Sequence, residues 1–426
     1  MRAATPTPTP PGEFEGRWRR ALEECAARGL DGLLAVSRGA SAIDSYADVF
    51  YLSGHYGNIG FTPDFQDYWI GRSHSAVLLA PNREPLLVVD GADYRRDLVG
   101  IEDVRFALDF PGAVAGALEE RGLARGRVGV CGLNVMSARV FQLLREQLPG
   151  CELLDADYLI EALRVIKSPF ELERIRAAAA VGDEVVSAIM EAALGGGGRV
   201  TEAQAVAEGY RAGIAAGVHF FDTSIASGPY SNYFTWNHLP SWSQRVLEPG
   251  ELFHADSYGA IEGYLFDFGR TCIVAGPDGS GKIAASRRTG GQTASDEQAA
   301  LCQGAIDAVE AGIAVIRPGV PASAVFEAVH GHLLAVGLAV DGDEEMDMDN
   351  ASALSIGFPP HGHGFGLGWE WPWILPTEER ELRPGMCLAV EAMPTRAGLG
   401  SSYFEQDLIV TEDSCEVLTQ AQKRWW

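Results

Sequence analysis

Apolar and polar positions alternate along this chain in two different ways. Residues 18–28 repeat with a helical period, and an apolar run at 32–36 follows as a strand. Further strand-like runs at 75–79, 85–89 and 127–130 are separated by helical stretches, an alternation that predicts an α/β domain with a sheet flanked by helices. That pattern ends near 163–168. Pro169 stands at a helix start, and 171–194 is rich in Ala, Glu and Arg, which predicts one long helix closed by the glycines at 195–198. Thr201 with Gln204 forms a capping-box signature for a helix over 202–213. Two hairpin-like regions follow, at 251–274 and 386–411, with helical segments near 295–316 and 322–336 between them. Strands joined by hairpins predict an α+β second domain. Residues 1–16, with four prolines among Thr and Gly, read as a disordered tail, leaving 17–165 and 166–426 as the two domains.

At 426 residues the chain exceeds one ordinary core, in keeping with two domains. Its 33 Lys and Arg against 58 Asp and Glu give a formal charge of -25, which repels phosphate backbones and anionic lipid and argues against a nucleic-acid or membrane partner. No apolar run reaches the roughly 20 residues of a membrane span and no signal-peptide order opens the chain, so a cytoplasmic protein is expected. The seven cysteines are dispersed without a CxxC pair, which points to reduced structural thiols.

Chemistry is concentrated in the two hairpin regions. A turn centred on 259–263 would set Asp256 directly opposite Asp267, with Cβ atoms roughly 5 Å apart. Glu391 and Glu405 are likewise symmetric about Gly398. The flanking strands, with Leu252, Phe253, Leu265, Phe266, Leu388, Val390, Leu408 and Ile409, are apolar on both faces as in a covered sheet. Acids buried there repel one another unless a cation lies between them. Solvated hairpin positions are the bland alternative. His363, among the glycines of 362–366, is the best imidazole to complete such a set.

These residues resemble the pita-bread metallohydrolases, the family of methionine aminopeptidase, Xaa-Pro aminopeptidase, prolidase and creatinase. The resemblance rests on Asp256 and Asp267 followed by Gly269-Arg270-Thr271, on Gly362-His363-Gly364-Phe365-Gly366, on Pro384-Gly385-Met386 leading to Glu391, and on Phe404-Glu405-Gln406-Asp407-Leu408-Ile409-Val410-Thr411. Upstream, Gly29-Leu30-Asp31-Gly32-Leu33-Leu34, Phe50-Tyr51-Leu52-Ser53-Gly54 and Lys167-Ser168-Pro169 resemble a creatinase-type N-terminal domain and its junction. The resemblance implies that Asp256, Asp267, His363, Glu391 and Glu405 hold two divalent ions, with Asp267 and Glu405 bridging. The oxygen-rich set suits Mn, Fe, Co or Zn. It also implies a homodimer, and hydrolysis by metal-bound water of an amide or related C–N bond in an Xaa-Pro type peptide or a small amino-acid derivative. A metal-dependent lyase or small-molecule hydrolase, or a catalytically inactive binding module, are the competing readings.

The chain departs from the family in several places. His238 stands near a histidine that contacts substrate in relatives, and His361 lies beside the glycine-rich motif. A second imidazole, expected seven residues after His363, is replaced by Glu370 among Trp369, Trp371 and Trp373. This puts the usual proton relay in question. With Trp236 and Trp242, these tryptophans read either as an aromatic wall for a flat or apolar substrate group or an ammonium, or as ordinary interface or core packing. Xaa-Pro peptidases tend to carry an arginine two residues before the last glutamate ligand, where this chain has Tyr403. By strand alternation Tyr403 shares a face with Glu405, and His254 with Asp256. The near P-loop at 276–283 has Ile283 where Ser or Thr would hold magnesium, and reads as a surface loop.

Overall fold

A computed structural model describes residues 8–39, 43–57, 60, 71–228, 231, 241–275, 295–338, 361–396 and 398–426. The chain separates into two compact units, one running to Val165 with Leu367–Trp369, the other comprising Ile166–Gly366 and Glu370–Trp426.

The first unit contains α1 (Glu13–Ala27), β1 (Gly32–Arg38), α2 (Ala47–Ser53), β2 (His74–Leu79), β3 (Leu86–Val89), β4 (Asp103–Phe106), α3 (Phe110–Glu120), β5 (Arg127–Cys131), α4 (Ala138–Gln147), β6 (Glu152–Asp155) and α5 (Asp157–Arg164). Its six-stranded sheet has the order β4-β3-β2-β1-β5-β6, with β1, β5 and β6 parallel and β2 antiparallel to both its neighbours. Helix α1 starts at Glu13, five residues before the expected 18, because Phe14 is buried and stacks on Trp18 while Glu13 pairs with Arg17. The helix therefore takes in residues 13–16 of the expected tail.

The second unit opens with α6 (Pro169–Leu194), which begins at a Ser168–Glu171 capping box, and α7 (Glu202–Ala216), which begins at the Thr201–Gln204 box. Helix α7 runs past the expected 213 and closes at Gly217, whose φ of 95° suits a residue without Cβ. The strands are β7 (His219–Ser227), β8 (Leu252–Ile261), β9 (Tyr264–Ile273), β10 (Gly362–Phe365), β11 (Trp369–Trp373), β12 (Cys387–Ala392), β13 (Thr395–Arg396), β14 (Gly400–Ser401), β15 (Phe404–Val410) and β16 (Cys415–Val417). Helices α8 (Asp296–Val315) and α9 (Ala322–Ala335) lie between the two groups of strands in sequence.

Strands β7-β8-β9 form one sheet and β11-β10-β12-β15-β16 another. Alternation divides each sheet into an apolar and a polar face. On the first, Phe253, Ala255, Phe266 and Phe268 pack against Val185, Val186 and Ile189 of α6, each large side chain contributing roughly 1.5–3 kcal/mol by burial. On the second, Val390 faces Gly312 of α8. The opposite faces, which carry the acids, meet where β9 packs on β15.

Candidate metal centre

Strand β9 is reached from β8 through a two-residue turn at Glu262 and Gly263, whose φ values of 52° and 88° are those of a tight hairpin. The turn is shorter than the five-residue one expected, so the register shifts by two. Asp256 faces Gly269, and Asp267 faces Tyr258. The two acids are therefore diagonal rather than directly opposed. A shift of two preserves side-chain parity, which keeps both carboxylates on one face. Glu391 and Glu405 are directly opposed, as their symmetry about Gly398 requires, and His363 pairs with Ala389 on the same face of β12.

One carboxylate oxygen each from Asp267 and Glu405 and one ring nitrogen of His363 lie within 4.8 Å of one another. All five side chains are at least nine-tenths buried. The Nδ1 of His363 is 3.0 Å from the Gly364 carbonyl, which only accepts, so Nδ1 carries the proton. Burial lowers the His363 pKa to about 4 and keeps the ring neutral. Its Nε2 lone pair thus points toward Asp267, with Oδ2 3.5 Å away. Lone pair against carboxylate repels unless a cation separates them.

The acids carry the same signature. Burial, then the repulsion of neighbouring acids, pushes Asp256 and Glu405 well above the carboxylate range. Glu391 rises to about 8, burial outweighing the stabilising hydroxyl of Tyr403. Asp256 Oδ1 and Glu391 Oε1 are buried without a hydrogen-bond donor among the described residues. Orphaned acceptors beside a neutral imidazole form a donor set that fits hard or borderline divalent cations.

The other expected residues divide. Tyr403 belongs to the cluster, its hydroxyl 2.7 Å from both Glu391 Oε2 and Glu405 Oε2. Glu370 is fully buried in an ion pair, 2.8 Å from Lys167 Nζ, and its carboxylate lies against Gly366. A carboxylate committed to an ammonium acts as an acceptor rather than as the acid a relay needs. His361 is buried against His330 at 3.4 Å and against Phe326, and its carbonyl accepts from the Glu391 amide. His254 is fully buried with Nε2 2.9 Å from the Ser231 carbonyl. Trp369, Trp371 and Trp373 are half-buried, with Trp373 edge-on to His363 at 5.6 Å and Trp371 stacked under Arg380. His238, Trp236 and the segment 276–283 lie outside the described residues. Asp407 went unsingled in the sequence although it shares the acids' face. Its Oδ2 accepts from the Asp267 amide and its Oδ1 is a further buried orphan. The only signal was its period-two spacing from Glu405.

Residues 173–412 match the model of metallopeptidase family M24, and residues 17–166 match the creatinase/prolidase N-terminal domain. The chain belongs to family M24. It is thus a metal-dependent hydrolase by family, and its fold is the creatinase-type N-terminal domain joined to the pita-bread catalytic domain. An uncharacterised hydrolase/peptidase of Sinorhizobium fredii is 25% identical over 78% of this chain and 79% of its own. An ectoine hydrolase of Halomonas elongata is 27% identical over 47% of this chain and 49% of its own. The solved prolidase of Pyrococcus horikoshii superposes with a TM-score of 0.72 at 19% identity, covering 96% of this chain and 99% of that one, a likeness of fold.

Proposed function

We propose that this M24 protein is a dinuclear metal-dependent hydrolase that cleaves an amide or related C–N bond in a short Xaa-Pro type peptide or a small amino-acid derivative. The observation that carries the reading is the burial of Asp267, His363 and Glu405 around one point, with the orphaned oxygens of Asp256 and Glu391 beside it. Asp256, Asp267, His363, Glu391 and Glu405 would hold the ions, of which Mn, Fe, Co and Zn suit the donors. Bound divalent cations make water a nucleophile near neutral pH and polarise the carbonyl it attacks. Glu391 or Glu405 would take the proton that water releases, and Glu391 Oε1 is open to it, having no competing donor among the described residues. His363 keeps its Nδ1 proton on the Gly364 carbonyl and so presents Nε2 as a lone-pair donor throughout. His238 is the proposed substrate contact.

A second reading, hydrolysis of a small non-peptide substrate or a lyase reaction, is favoured by one observation. Glu370, at the position of the expected relay imidazole, is tied to Lys167, so that position does not offer the donor to a peptide leaving group. The similarity to an ectoine hydrolase is consistent with it.

The test is to incubate metal-loaded protein with Xaa-Pro dipeptides and, separately, with N-acyl amino acids and cyclic amidines. Release of proline, or of the free amino acid from the N-acyl derivatives, is the expected outcome of the first reading. Turnover of the cyclic amidines alone favours the second, and a fully metallated protein that turns over neither set contradicts both.

A further inference from the structure

Tyr403 stands where the resemblance led us to expect an arginine, and the structure gives the tyrosine a built seat. Its backbone amide donates to Thr271 Oγ1 at 2.7 Å, and Thr271 Oγ1 donates to its carbonyl at 2.9 Å. Its ring lies over Gly269 so closely that a Cβ there would come within 2.3 Å of Cε1. Asp267, Gly269 and Thr271 are alternate residues of β9 and share one face, so the strand that delivers a proposed metal ligand also makes room for the ring and pins its backbone. The side chain is 2% exposed.

From that seat the hydroxyl reaches both members of an opposed acidic pair, 2.7 Å from Glu391 Oε2 and 2.7 Å from Glu405 Oε2. Like charges directly opposite on neighbouring strands repel, and two glutamates on separate χ angles would swing apart. We propose that Tyr403 is a positioning residue whose single hydroxyl proton, shared between Glu391 Oε2 and Glu405 Oε2 in a three-centre hydrogen bond, holds these two atoms to a common point and thereby presets both carboxylates for cation binding. An arginine at this place would add a positive charge beside the cations. The phenol orients the same oxygens without one, so it supports the acids and does not compete for them. Preset ligands lose less freedom on binding, which appears as affinity. The inference rests on Glu391 and Glu405 being the metal ligands proposed above.

Two variants separate positioning from packing. Tyr403→Phe keeps the ring over Gly269 and removes only the hydroxyl, whereas Tyr403→Ala removes both. Mn2+ is titrated calorimetrically into metal-free wild type and each variant, and the melting temperature of each metal-free protein is recorded. The expected result is that Tyr403→Phe loses about 10–100-fold in Mn2+ affinity while melting close to wild type, and that Tyr403→Ala loses affinity and stability together. Wild-type affinity in Tyr403→Phe overturns the inference and leaves the proposed function standing. So does a fall in melting temperature as large as that of the alanine variant, since the hydroxyl would then be structural. A wild type that takes up no Mn2+ overturns the proposed function and this inference with it.

Discussion

Glu391 concentrates the tension of the site in a single side chain. It is directly opposed to Glu405, and burial, joined by the charge of Asp267, raises its pKa from 4.5 to about 8 in the metal-free protein against the lowering hydrogen bond from Tyr403. A raised folded-state pKa means that the folded chain binds more protons than the unfolded one between those values, so stability falls as pH rises. The buried imidazoles of His363 and His254, lowered to about 4, act in the opposite sense, but only up to 6.5. Between pH 6.5 and about 8 the imidazole contribution fades as the unfolded rings lose their protons, and the raised acids outweigh it. The metal-free protein should lose on the order of 1–2 kcal/mol across that window, and saturating Mn2+ should abolish the loss because bound cations hold the carboxylates ionised in the folded state. Urea unfolding at the two ends of the window, with and without metal, measures both. A metal-free stability that rises with pH there would show that the acids are not mutually repelling.

Hairpins are the elements that assemble the acids, and they show what a sequence reveals locally and what it hides. The Thr201–Gln204 capping box, Pro169 as a helix start and the symmetry of Glu391 with Glu405 depend on neighbours a few residues away or on one turn, and all were legible. The register of β8 on β9 depended on whether the chain turns within two residues or five. Several of its residues suit a turn, so the choice was not. Parity survived the error because a register shift of two leaves each side chain on its own face. The seat of Tyr403 on Gly269 and Thr271, and the pairing of Lys167 with Glu370 203 residues away, are set by tertiary approach alone. That pair makes its own prediction. Lys167→Met strands the fully buried Glu370 without its ammonium and should cost about 3–5 kcal/mol in urea unfolding, and most of that should return in Lys167→Met combined with Glu370→Leu. A single variant as stable as wild type would mean that Glu370 draws its support from elsewhere.

At the scale of the whole chain, all five proposed ligands belong to the second of its two compact units. Among the described residues no helix is long and apolar enough to cross a membrane. A formal charge of -25 leaves the exterior hospitable to cations, and the buried acids favour them for a different reason, since burial takes those carboxylates out of bulk solvent. Family M24 membership sets the chemistry in broad outline, and the departures at Glu370 and Tyr403 set this chain apart within it. The most direct measurement is the metal content of protein dialysed against excess Mn2+ and then freed of unbound ion, for wild type, Asp267→Ala and Glu405→Ala. Wild type should retain about two ions per chain and each variant should lose both, since the proposed centre has both ions drawing on those carboxylates. A variant that keeps the full complement, or a wild type that keeps none, would contradict the account.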